Sequence, residues 1–162
     1  MFPLQSQLIY FVIACTLFCQ ISRAEEYSIE KDISYYQSPP NEYAHERCKL
    51  DIYYPIKTTN FATIVWFHGG GLRGGQKKIP TFLKSKGIAI VAVNYRLFPK
   101  AKCPEYIEDS AAAVAWTFSN IKKYGGSEKK IFISGHSAGG YLTSMVGLDQ
   151  SYLKRFGINA ND

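Results

Sequence analysis

The sequence predicts an α/β fold on a doubly wound, mostly parallel sheet, and three observations carry that expectation. Phe61 to Phe67 and Ile88 to Val93 are nearly continuous apolar runs, and Lys130 to Ser134 is a third short β-forming run. Runs of this kind read as strands buried on both faces, as parallel strands are. Helical patterns follow them, with Ile107 to Tyr124 alanine-rich at its centre and Ala138 to Leu148 placing Leu142, Met145 and Val146 at inward spacing. Strand and helix in repeated alternation imply a parallel sheet with crossover helices.

The elements follow in order. Tyr27 to Tyr36 and Lys49 to Tyr54 alternate and are rich in β-formers, which predicts two outer strands in a hairpin or meander. Pro39-Pro40-Asn41 between them marks a loop. A short helix is expected over Ile79 to Lys86, starting near Pro80 and ended by Gly87. Tyr95 to Pro104 is expected to be a loop, and Gly125-Gly126 closes the long helix.

The chain has 162 residues, 46% of them hydrophobic, and a formal net charge of +6. That composition suits one packed domain and argues against a disordered tail. The lysine pairs at 77–78, 122–123 and 129–130 fall beside expected loops and helix ends, where solvated surface is the simplest reading. No nucleic-acid-binding module is recognisable. Residues 1–24 resemble a secretory signal peptide, with an apolar run from Leu8 to Ile21 and a small-residue site ending at Ala24, although no lysine or arginine precedes the run. The run is short for a membrane span, and the expected mature chain, residues 25–162, is exported. Val12-Ile13-Ala14-Cys15 loosely resembles a lipoprotein processing site, so a lipid-anchored form is the second reading. Cys48 and Cys103 remain after cleavage, open to pairing in an oxidising compartment or to burial as free thiols. No Cys/His spacing points to a metal, and no cofactor is expected.

Gly135-His136-Ser137-Ala138-Gly139 fits the G-x-S-x-G pattern. Composition alone yields that pattern in roughly one chain in twenty of this length, so its setting decides its weight. A strand leads in and a helix leads out, the context a nucleophile turn requires. Such a reversal strains the central residue and holds its hydroxyl at the carboxyl end of the sheet. The helix N-terminus behind it favours negative charge. Read by itself, Ser137 is also a plausible helix cap.

His68-Gly69-Gly70-Gly71 directly follows the run from Phe61 to Phe67. A tetrahedral intermediate carries a negative oxygen on which backbone N–H donors must converge, and glycine lets the backbone come close. Gly70, Gly71 and Ala138 are the expected donors. A plain glycine turn is the bland alternative. A phosphate loop is disfavoured because neither nucleotide-binding glycine pattern is present.

These two motifs, in this order, resemble the HGGG-containing esterases and lipases of the α/β-hydrolase superfamily. Asn94-Tyr95-Arg96-Leu97-Phe98-Pro99, Tyr106-Ile107-Glu108-Asp109 and Ala115-Trp116 add to the match. The resemblance is strongest to the secreted carboxylesterase-like branch related to feruloyl esterases and runs from Lys49 to the C-terminus. It implies an α/β-hydrolase-type doubly wound sheet and a small-molecule ester substrate. It further implies Ser137 as nucleophile, Gly70, Gly71 and Ala138 as the oxyanion hole, and His68 as support for the oxyanion loop. Arg96 and Asp109 are expected to form a structural ion pair tying the loop to the helix.

A serine needs a base to take its proton, normally a histidine oriented by a carboxylate. In this superfamily both follow the serine in the chain, whereas His45, His68 and His136 all precede it. Asp149 ends the nucleophile helix and Asp162 is the last residue, so neither acid nor base is assigned. The chain is therefore expected to be a fragment whose sheet lacks its C-terminal strands and leaves an apolar edge. Two further readings stay open: an inactive remnant or binding protein on the same fold, and a serine peptidase or amidase.

Overall fold

A computed structural model describes residues 25–159. The expected signal peptide, the lipoprotein-like segment and Asp162 lie outside them. The ordered elements are β1 (Tyr27–Ser34), α1 (Glu42–Arg47), β2 (Lys49–Pro55), β3 (Phe61–Phe67), β4 (Ala89–Val93), α2 (Glu105–Asn120), β5 (Gly126–Gly135), α3 (Ala138–Leu148) and α4 (Ser151–Lys154).

The strands form one sheet in the order β1-β2-β4-β3-β5. β4, β3 and β5 are parallel neighbours, while β2 is antiparallel to both β1 and β4. Four strands therefore run one way and β2 runs against them, a mixed and mostly parallel sheet. The parallel register places Phe67 beside Val93 on one side and Gly135 on the other. The ends of β3, β4 and β5 thus lie level, and the loops that leave them meet above one edge of the sheet.

Alternation along the strands divides the core. Val65, Phe67, Val91 and Val93 face one layer with Ile107, Ala111, Val114, Leu142 and Val146 of α2 and α3. Ile90 and Ala92 face the other side, covered by Ile79 with Tyr53, Trp66 and Leu83. Each fully buried aliphatic or aromatic side chain contributes about 1.5–3 kcal/mol, so α2 and α3 are held by packing on the sheet.

Three sequence expectations need correction. Residues 79–86 form no α-helix; only Thr81–Leu83 makes a short 3-10 turn, with Phe82 66% exposed. A segment this short has little capacity to nucleate a helix, and Ser85 at φ 56° interrupts helical geometry. The loop between β1 and β2 holds α1, whose Asn41 cap accepts a 2.8 Å hydrogen bond from Ala44 N–H. Six residues are too few to show a helical period. The long helix begins two residues earlier than its apolar pattern and passes into 3-10 geometry at Ile121–Tyr124.

Cys48 and Cys103 are both free, the first buried and the second exposed. Burial, reinforced by the Asp109 carboxylate, pushes the Cys48 thiol up to about 12. The expected burial of Lys130 to Ser134 on both faces also gives way: β5 pairs with β3 alone among the described strands, none of these five residues is buried, and Phe132 is 58% exposed. Among the described residues no helix is long and apolar enough to cross a membrane.

Candidate active site

Only two residues separate β5 from α3, so the chain must reverse sharply. Ser137 absorbs the reversal at φ 54°, ψ −115°. A non-glycine residue there stores about 1–3 kcal/mol of strain, which persists only where the surroundings over-determine it. They do so here. His136 N–H donates to Phe67 C=O at 3.2 Å, Gly139 N–H to His136 C=O at 2.9 Å, and Tyr141 N–H to Ser137 C=O at 3.2 Å. A Cβ on Gly135 would lie 2.6 Å from the Gly139 carbonyl oxygen, and one on Gly139 would collide with that of Phe67. Both outer glycines of the motif are thus required by contact. Ser137 is exposed and its side chain makes no capping bond to α3, so the turn does not employ it as a helix cap.

The glycine loop leaves β3 and arrives beside this turn. A Cβ built on Gly69 would lie 3.3 Å from Ser137 Cβ and 2.9 Å from His136 Nδ1. Gly70 has φ 120°, and its carbonyl accepts from Arg73 N–H at 3.0 Å and Gly74 N–H at 3.1 Å. A side chain there would strike the Gly74 carbonyl, so only glycine fits the tight return. Among the described residues, no backbone hydrogen bond of the loop or turn engages the N–H of Gly70, Gly71 or Ala138.

His68 is buried under the loop and stacked on Tyr95, with ring centroids 4.4 Å apart. Its Nδ1 lies 2.6 Å from Gly69 C=O, and Tyr95 hydroxyl donates to His68 C=O at 2.7 Å. Burial holds the imidazole below its ordinary range, the nearby Arg47 charge acts in the same direction, and the Gly69 carbonyl opposes both. The ring is therefore neutral at pH 7, with Nδ1 as the donor. Lys77 ties down the far end of the loop: its N–H donates to Asn94 Oδ1 at 2.6 Å and its ammonium reaches Asp32 at 2.8 Å and Asp51 at 2.5 Å.

The His68 shift has a consequence for stability. The unfolded chain takes up a proton near the ordinary value of 6.5, while the folded chain resists until a lower pH. The unfolded state then binds more protons, so stability falls as pH drops from 6.5 through the folded pKa and is unaffected above that window. Urea denaturation of wild type and His68→Gln over pH 5 to 8 is expected to show a pH-dependent difference confined to the acid side. A constant difference would contradict it.

Arg96 and Asp109 meet in a bidentate pair, with Nε and Nη2 each 2.8 Å from a carboxylate oxygen. Asp109 also accepts from Arg96 N–H at 2.9 Å and from Tyr36 hydroxyl at 2.8 Å, and Arg96 reaches Glu105 at 2.6 Å. Arg96 is 3% exposed and Asp109 wholly buried, so the loop after β4 is clamped to the first turns of α2.

No histidine ring hydrogen-bonds Ser137 among the described residues. His136 is exposed on the turn itself. His68 faces Gly69 and Arg47, and His45 sits exposed on α1 beside Glu42 at 3.6 Å. Asp149, exposed at the end of α3, accepts from Ser151 N–H at 3.0 Å. A cavity of about 500 Å³ between α2 and α4 is lined by Tyr36, Glu105, Tyr152 and Arg155 among others, and includes neither motif. Arg47, which contacts the glycine loop, escaped sequence reasoning. Its partners lie 21, 28 and 48 positions away, and no local pattern marks it.

The BD-FAE family profile matches residues 50–160. The chain belongs to the BD-FAE family. Among relatives, it is 36% identical to Lipase 2 of Moraxella sp. over 95 residues, covering 56% of this chain and 22% of that one. It is 32% identical to carboxylesterase NlhH of Mycobacterium tuberculosis over 97 residues, covering 57% and 30%. Its fold matches the crystal structure of esterase B from Lactobacillus rhamnosis at a TM-score of 0.68 and 24% identity, covering 96% of this chain and 51% of that one. The sheet is thus the α/β-hydrolase type that the sequence predicts. The chain spans less than a third of the length of either relative.

Proposed function

We propose that this chain carries the nucleophile half of an exported carboxylic ester hydrolase acting through an acyl-enzyme on Ser137. The observation that carries it is the juxtaposition of two independent motifs. The glycine loop passes within side-chain distance of a strained, exposed serine, with Gly69 3.3 Å from Ser137 Cβ measured at its would-be Cβ. Family membership supports the same reaction class.

In this reading Ser137 Oγ attacks the ester carbonyl carbon and its proton passes to a base. The carbonyl π pair moves onto oxygen, which Gly70, Gly71 and Ala138 N–H groups stabilise. Collapse expels the alcohol, which takes the proton from the base. Water then adds to the acyl-enzyme, its proton going to the same base, and the acid leaves as Ser137 is reprotonated. The base and its carboxylate are not assigned: among the described residues His68 faces Gly69 and Arg47, and His45 lies beside Glu42. Export rests on residues 1–24.

Incubation with a fluorophosphonate, followed by peptide mass mapping, tests the nucleophile. The adduct is expected on Ser137 and is expected to be lost in Ser137→Ala. Labelling at Ser134, Ser144 or Tyr141 in its place would sink the assignment. No histidine ring bonds Ser137 among the described residues, so the adduct is expected to form slowly, on the residual ~10³–10⁴-fold acceleration that oxyanion donors and binding supply without a base, and the 162-residue chain alone is expected to turn over p-nitrophenyl esters little or not at all.

A further inference from the structure

We propose that Arg47 is a positioning residue for the oxyanion loop, one guanidinium fixing both the path of the loop and the tautomer of His68. The kinetic part of this rests on the Ser137 reading; the structural part does not.

Arg47 is the last residue of α1. The guanidinium touches three segments at once. Nε donates to Tyr95 C=O at 2.7 Å, in the loop after β4. Nη2 donates to Gly75 C=O at 2.8 Å, at the return of the glycine loop. The same nitrogen lies 3.5 Å from His68 Nε2, at the end of β3. Arg47 is half-buried, and among the described residues it forms no ion pair with a carboxylate.

Those facts separate Arg47 from the other guanidinium nearby. Arg96 is neutralised by Glu105 and Asp109. Arg47 keeps its charge and directs its donors at neutral acceptors. Guanidinium has five N–H donors in a fixed fork and no acceptor. A group that can only donate requires His68 Nε2 to be unprotonated, which leaves the ring proton on Nδ1, facing Gly69 C=O at 2.6 Å. Gly69 lies beside Ser137, its would-be Cβ 3.3 Å from Ser137 Cβ. The chain of contacts therefore runs from Arg47 through His68 to Gly69, and in parallel through Gly75 to the tight return at Gly70. Lysine, with a compact ammonium on a flexible stem, does not reproduce the fork.

Nitrogen NMR of His68 in the full chain, wild type and Arg47→Met and Arg47→Lys, reads the tautomer directly. Wild type is expected to carry the proton on Nδ1. Arg47→Met is expected to populate both tautomers and to label Ser137 with fluorophosphonate roughly tenfold more slowly or worse, since about an ångström of misplacement can cost 10²-fold. Arg47→Lys is expected to fall between. A wild-type His68 protonated on Nε2 overturns the proposal, whatever the variants do. So does a folded Arg47→Met with the wild-type tautomer and labelling rate. If Arg47→Met does not fold, Arg47→Lys and the wild-type spectrum decide. If wild-type Ser137 takes no fluorophosphonate, the hydrolase reading fails while the tautomer still judges Arg47.

Discussion

Asp109→Ala is expected to destabilise the protein by at least ~3 kcal/mol, the scale seen when one partner of a buried ion pair is removed. Asp109 is wholly buried and accepts four hydrogen bonds, three from Arg96 and one from Tyr36. Its loss leaves the Arg96 N–H, Nε and Nη2 without a carboxylate in a site where Arg96 is only 3% exposed. Glu105 remains on Nη1 at 2.6 Å, which places the expected cost at the lower end of the ~3–5 kcal/mol range. Against total stabilities of about 5–15 kcal/mol for a domain, that loss can unfold a large share of the population. The double variant Arg96→Met, Asp109→Leu is expected to recover part of the loss, because a buried pair replaced by apolar groups removes the desolvation cost along with the attraction. Urea denaturation measures both. A loss under about 1 kcal/mol in Asp109→Ala would show that the clamp does not hold the β4 loop on α2.

The sequence reveals those parts of this molecule whose causes are local. Phe61 to Phe67 and Ile88 to Val93 advertise buried strands because both faces of each are covered, and the glycine spacing around Ser137 is legible as a local motif, although Gly139 is required by the distant Phe67 carbonyl. The His68 loop is legible for the same reason. Arg96 and Asp109 could be paired only through family resemblance, since 13 positions and a loop separate them. What stayed hidden depends on distant segments. The order β1-β2-β4-β3-β5 arises from pairings that no single stretch encodes. α1 is too short for periodicity, and Arg47 at its end acquires meaning only when Gly75 and Tyr95 arrive beside it. Residues 79–83 look amphipathic because Ile79 and Leu83 do cover the sheet, but they do so from a loop with one 3-10 turn. Apolar spacing reported the burial correctly and the backbone geometry incorrectly.

Gly139→Ala is expected to be the most damaging single-methyl change in the site, and its neighbour supplies the control. The new Cβ would collide with the Phe67 carbonyl oxygen and come within 2.6 Å of its carbon and 3.0 Å of the His68 carbonyl oxygen. These are backbone atoms at the end of a central strand and cannot rotate away as a side-chain tip can. To relieve the clash α3 must back off from β3, which stretches the 3.2 Å bond from His136 N–H to Phe67 C=O. That bond helps fix the strained turn, so Ser137 moves away from Gly69 and the glycine loop. Overpacking of this kind costs about 1–3 kcal/mol and sometimes more, and a displaced nucleophile can lose ~10²-fold in rate. Gly140→Ala, one residue on, meets only the Gly135 carbonyl oxygen at 3.7 Å, an ordinary contact. It is expected to be neutral or to stabilise by up to ~1 kcal/mol through the better helix propensity of alanine. Gly139→Ala is therefore expected to lower both the urea midpoint and the fluorophosphonate labelling rate, and Gly140→Ala to lower neither. Equal behaviour would show that the closeness of α3 to β3, and not merely the presence of Ser137, has been misjudged as the basis of the site.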